Sequence, residues 1–231
     1  MRAKGLLIVG LITLATGLIG LFVVVPTIAA PPYGAWGYGY SGMMGISGMT
    51  GIMGGPVAPN AAPIGMERAS AAARDYIARS GDSNLELGEM MEFGANYYAQ
   101  VVERDTGIHA FELLIDKYTG TVFPEMGPNM VWNTKYGMGG MMGGWRFGQG
   151  QPAEMAIGPE RATELARQYL ATQGLRLGVA DPARFYGYYT LHTLRDGEIE
   201  GMLSVNGTTG EVWYHVWHGP FVQMQRGAGE H

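Results

Sequence analysis

The chain has 231 residues, 15% of them charged, a net charge of −5, 38 glycines, 16 methionines and no cysteine. The mild acidity excludes a nucleic-acid partner, which needs clustered Lys and Arg to displace counterions from phosphates; the lysines are only the scattered Lys4, Lys117 and Lys135. Without cysteine there are no disulfides, thiolate metal sites or cysteine nucleophiles.

Arg2 and Lys4 precede an uncharged apolar run, Gly5 to Val25, closed by Pro26, and the next charged residue is Glu67. As a helix the run spans roughly 30 Å, one hydrocarbon core. The positive-inside rule places Arg2 and Lys4 in the cytoplasm and the rest of the chain outside. The expectation is a single-pass cell-membrane anchor over residues 5–25, within an N-terminal segment 1–30. A signal peptide cleaved near Ala29 and Ala30 is the rival, but its apolar region is usually only about 7–15 residues long.

Residues 31–63 are rich in Gly, Met and Pro. Glycine at this density cannot hold a helix or strand, so the segment reads as a linker. A repeat begins at Ile64. Residues 64–81, IGMERASAAARDYIARSG, lie over residues 157–174, IGPERATELARQYLATQG, with ten of eighteen positions identical. Tyr118-Thr-Gly-Thr-Val122 then matches Thr208-Thr-Gly-Glu-Val212 in the same order. Such self-similarity marks one structural unit present twice.

The fold class expected is α+β: two repeats of one helix packed on a three-stranded antiparallel sheet, preceded by the transmembrane helix. The units span 64–127 and 157–222, joined by a Gly/Met-rich connector, 128–156, and followed by a tail, 223–231. The helices, about 67–80 and 159–173, carry apolar residues at helical spacing (Ala69, Ala73, Tyr76 and Ile77; Ala162, Leu165, Ala166, Tyr169 and Leu170) and stop at Gly81 and Gly174. Unit one continues with strands over 96–104, 108–115 and 121–125. In unit two Asp196-Gly197 is a two-residue hairpin signal between strands 185–194 and 199–205, and a third strand runs over 211–217. Pairing across that turn puts Tyr188, His192, Leu194, Ile199, Leu203 and Val205 on one face, toward the helix. The other face keeps Tyr189, Leu191, Met202, Trp213, His215 and Trp217. It is too apolar for water, so something covers it.

A helix followed by a three-stranded meander, with a Thr-Gly-x-Val turn into the last strand, resembles the PepSY family. The residues that carry the resemblance are Ala69 to Tyr76, Ile108 to Ile115 and Asp116 to Val122, with counterparts Ala162 to Tyr169, Ile199 to Val205 and Asn206 to Val212. It implies an exported, non-enzymatic binding module that binds or restrains a protease or another envelope protein, with no catalytic residues to carry over.

Met43, Met44, Met49 and Met53, with Met138, Met141 and Met142, are the candidate metal ligands. Thioethers suit Cu(I) or Ag(I), and glycine lets them converge. The alternative function is therefore a Met-rich soft-metal binding protein; the bland counterpart is an adaptable apolar surface. His215 and His218, three apart on an extended strand, are expected to point to opposite faces and so to form no ligand pair. Glu67 and Glu160 sit in first helical turns, where the dipole accounts for them. Glu89, Glu92, Glu103 and Glu112 are expected to be solvated. No His-Glu-x-x-His, Gly-x-Ser-x-Gly or phosphate-binding loop occurs.

Overall fold

The structure is a computed structural model that describes residues 61–137 and 152–225. The expected membrane segment and the linker up to residue 60 lie outside them. Among the described residues no helix is long and apolar enough to cross a membrane.

The described chain is α+β, with helices packed on antiparallel sheets. Helix α1 (Met66–Arg79) leads into β1 (Leu85–Phe93), β2 (Asn96–Glu103), β3 (His109–Asp116) and β4 (Val122–Pro124). A short helix α2 (Pro128–Val131) follows, then α3 (Pro159–Thr172), β5 (Gly178–Val179), β6 (Ala183–Arg184), β7 (Tyr188–Arg195), β8 (Glu198–Asn206), β9 (Val212–Tyr214) and β10 (Phe221–Gln225). The helix ends follow from local chemistry. Glu67 and Glu160 occupy the first turns, and Gly81 and Gly174 take φ of 74° and 71° just past the last turns, a conformation glycine adopts without strain.

Sheet one has the order β10-β1-β2-β3-β4; in sheet two β5 and β6 both pair with β7, followed by β8 and β9. Ala69, Ala73 and Ile77 of α1 pack with Tyr97, Ala99, Val101, Phe111, Leu113 and Ile115 on one face of sheet one. Ala162, Ala166 and Leu170 of α3 pack with Tyr189, Leu191, Leu203 and Val205 on one face of sheet two. The opposite faces meet: Met91, Phe93, Tyr98 and Leu114 of sheet one enclose Met202 of sheet two. The layers therefore run helix, sheet, sheet, helix, and the covering expected for the outer face of sheet two is sheet one.

Three details depart from the sequence expectations. Each sheet has more than three strands. β1 was missed because Gly88 and Glu89 form a bulge opposite Gln100, which breaks the alternation along Leu85–Phe93. Its counterpart in sheet two is split into β5 and β6 around Pro182. The faces of β7 are also reversed. The hairpin forms at Asp196 and Gly197, both with positive φ, and Leu194 pairs with Ile199; Thr193 then pairs with Gly201, so Glu200 is bulged out. One extra residue moves Tyr189 and Leu191 to the helix side and Tyr188, Thr190 and His192 to the seam. Finally, β10 runs through residue 223 and pairs with β1, so Gln223, Met224 and Gln225 belong to a strand rather than a tail.

Candidate functional site

Several places draw residues from both halves of the chain, and two of them join the first half to the segment around β10. The first is the edge of β1. β10 lies antiparallel on it, with Met90 opposite Gln225, Met91 opposite Met224, Glu92 opposite Gln223 and Phe93 opposite Phe221. Gly94 and Ala95 donate their N–H groups to the carbonyls of Pro220 and His218 at 2.7 and 2.9 Å. The Phe221 ring meets Phe93 edge-on at 5.8 Å, and Met224 packs on the inter-sheet cluster. Gln223 Nε2 donates to Glu92 Oε2 at 2.7 Å, while Lys117 Nζ pairs with Glu92 Oε1 at 2.8 Å.

The second place is the polar part of the seam. Glu112 on β3 is fully buried and accepts hydrogen bonds from Tyr98 (2.6 Å), Thr190 (2.9 Å) and Tyr188 (2.9 Å). Glu125 follows β4, and Asn129 of α2 ties the two together. Its Nδ2 donates to the carbonyls of both glutamates, and its Oδ1 accepts from the Glu112 N–H. Glu125 faces His215 and His218. The side chains of all three are 0–1% exposed, so the group is sealed from solvent. His218 Nε2 lies 2.9 Å, and His215 Nδ1 3.4 Å, from Glu125 Oε1. Neither contact has hydrogen-bond geometry, and Glu125 Oε2 also lacks a partner. One ligand atom from each residue lies within 4.8 Å of the other two.

Burial, and then the neighbouring Glu125 carboxylate, pushes Glu112 well above the usual carboxylate range. Burial alone would raise Glu125 as well; His215 and His218 outweigh it and hold Glu125 low. Burial lowers His218 against the pull of Glu125.

The expectation that His215 and His218 diverge is corrected here. β9 ends at Tyr214 instead of continuing to Trp217, so the i, i+3 rule for an extended strand does not apply. The chain bends, and both rings turn toward Glu125, with His215 stacked on Trp217 at 4.6 Å. The expected solvation of the glutamates is corrected too. Glu103 and Glu112 are 1% and 0% exposed, Glu89 is buried, and Glu92 is only partly exposed. Glu103 is a satisfied structural group that accepts from Lys135, Tyr136, Tyr186 and Thr106. Burial raises its pKa, but those bonds outweigh it and bring the value to about 2. Glu89 Oε1 lies 3.0 Å from His192 Nε2 across the seam, so His192 faces sheet one rather than its own helix.

The candidate ligands Met43, Met44, Met49, Met53, Met138, Met141 and Met142 lie outside the described residues. The connector around the last three is only partly a linker. Residues 128–137 are packed, with Asn133 Nδ2 donating to the Ala110 carbonyl at 2.7 Å and Thr134 N–H to the Tyr186 carbonyl at 2.9 Å. No signal in the sequence marked Glu125 as a site residue. The His-x-x-His spacing was visible, but its partner lies 90 residues upstream. Comparison with protein-family models, curated proteins and solved structures returns no match.

Proposed function

We propose that the chain is a non-enzymatic binding protein of the cell envelope, anchored through residues 5–25, whose extracytoplasmic part is one PepSY-like unit present twice. Several paired features support the duplication. Gly120 and Gly210 close equivalent turns, donating to Asp116 and Asn206 carbonyls at 3.0 Å with φ of 74° and 76°. Ile64 and Ile157, ahead of the two helices, donate to the carbonyls of Lys117 and Gly207 at 2.8 and 2.9 Å. In both halves a helix is followed by antiparallel strands paired in chain order.

The ligand of such a module is an extended segment of an envelope protein or protease, held by strand addition. The observation that carries this is β10, a five-residue segment that docks on the β1 edge through backbone pairing with Phe221 and Met224 as apolar anchors. In this mode the main chain supplies affinity and alternate side-chain pockets supply selectivity.

The test uses a chain ending at Gly219 and a labelled peptide of residues 219–226. Saturable anisotropy binding is expected, together with its loss when Gln223 of the peptide is replaced by Pro, which removes a ladder N–H. A truncated chain that keeps its circular dichroism and takes up neither peptide would refute strand addition.

A further inference from the structure

We propose that Glu125, His215 and His218 form a closed binding site for a borderline divalent transition ion, with Zn(II) as the reference member of the class. The proton inventory of the seam leads there. Thr190 has one proton and donates it to Glu112 Oε1, so it accepts from Ser204 at 2.9 Å. Ser204, its proton spent, accepts from His215 Nε2 at 3.0 Å. His215 therefore carries its proton on Nε2 and turns the other nitrogen, Nδ1, toward Glu125. The Asn96 amide is oriented by its Nδ2, which donates to the Trp217 carbonyl at 3.3 Å, so its Oδ1 accepts from His218 Nδ1 at 3.0 Å. His218 thus turns Nε2 toward Glu125 as well.

Two ring nitrogens and two carboxylate oxygens then converge with few protons between them. Salt bridges from two imidazolium rings would satisfy the charges, but the geometry is wrong for them. Both nitrogens crowd Oε1, which already accepts from Trp217 Nε1 at 2.9 Å, neither makes a hydrogen bond, and Oε2 is left with nothing. Buried polar atoms without partners are costly. A cation among them satisfies all at once. Zn–N and Zn–O bonds of about 2.0–2.2 Å in a tetrahedron put ligand atoms about 3.3–3.6 Å apart; the observed separation of 3.4 Å meets that spacing, and that of 2.9 Å is shorter than it.

Each ligand also has the outer partner that metal-bound side chains usually carry: Ser204 on His215, Asn96 on His218 and Trp217 on Glu125. The donor set chooses the ion. Two imidazoles and a carboxylate suit Zn(II), Cu(II) or Ni(II); Ca(II) and Mg(II) want oxygen alone, and Cu(I) wants sulfur. Complete burial makes this a structural site. It joins Glu125, in the first half of the chain, to the loop that leads into β10.

The experiment uses the full-length chain in detergent micelles, stripped with a chelator and titrated with Zn(II) against a competing indicator. The wild type is expected to take up one Zn(II) per chain, with an X-ray absorption spectrum showing a nitrogen and oxygen shell with imidazole scattering. Glu125→Gln is expected to weaken binding by more than about 100-fold, and Asn96→Leu, which removes only an outer partner, by about 10–100-fold. Replacing Met43, Met44, Met49, Met53, Met138, Met141 and Met142 by Leu is expected to leave Zn(II) uptake unchanged. Equal Zn(II) affinity in wild type and Glu125→Gln overturns the proposal, and so does a sulfur shell. The wild-type spectrum decides the matter even where a variant fails to fold. Peptide binding at the β1 edge is scored separately, so neither result stands in for the other.

Discussion

Glu103 shows what a buried carboxylate does when it is fully partnered. Lys135 supplies charge at 2.6 Å, and three hydroxyls complete the shell, tying β2 to the connector and to Tyr186 of the second half. The folded carboxyl sits at about 2 against an ordinary 4.5. A carboxyl lowered on folding contributes its full stabilisation above the ordinary value and loses it as pH falls from about 4.5 through about 2. Urea midpoints measured across that window should therefore fall steeply for the wild type. Glu103→Gln should be less stable at neutral pH and flatter on acidification; a parallel pair of curves would show that Glu103 is not the group responsible.

At the scale of elements, single residues decide register. The Glu200 bulge sets which face of β7 reaches the seam, and hence that Thr190 and Tyr188 meet Glu112. Gly187, just before β7, has φ of 95°, and its carbonyl accepts the Gly207 N–H at 2.9 Å. A Cβ there would be forced onto the Trp132 carbonyl oxygen of the packed connector. Gly187→Ala should cost about 1–3 kcal/mol from the backbone conformation alone, and more from the clash, read as a drop in thermal midpoint. An unchanged midpoint would mean that the connector does not hold this position.

The layers explain the whole molecule's balance of polar and apolar. Helices cover one face of each sheet and the sheets cover one another, so the seam needs no polar outer face. Beyond the described residues, the run 5–25 is predicted to keep the chain in the membrane. Alkaline carbonate extraction should leave the protein in the pellet with its N-terminus intact. A soluble product beginning near Ala30 or Pro31 would identify the run as a cleaved signal instead.

The sequence by itself determined the features that depend on neighbours a few residues away. The helix ends at Gly81 and Gly174, the Asp196-Gly197 hairpin and the turns at Gly120 and Gly210 all rest on short-range backbone preferences, and all are present. It did not determine which glutamates are buried. A glutamate on a strand looks the same whether its face meets water or protein; the stacking of the two sheets put Glu112 inside, and the packed connector with Tyr186 enclosed Glu103. Nor could it bring Glu125 to His215 and His218. That meeting requires a strand that ends three residues earlier than the pattern allowed, at Tyr214, and a fold that returns the chain to its first half. Both are consequences of packing between distant residues, to which local periodicity is blind.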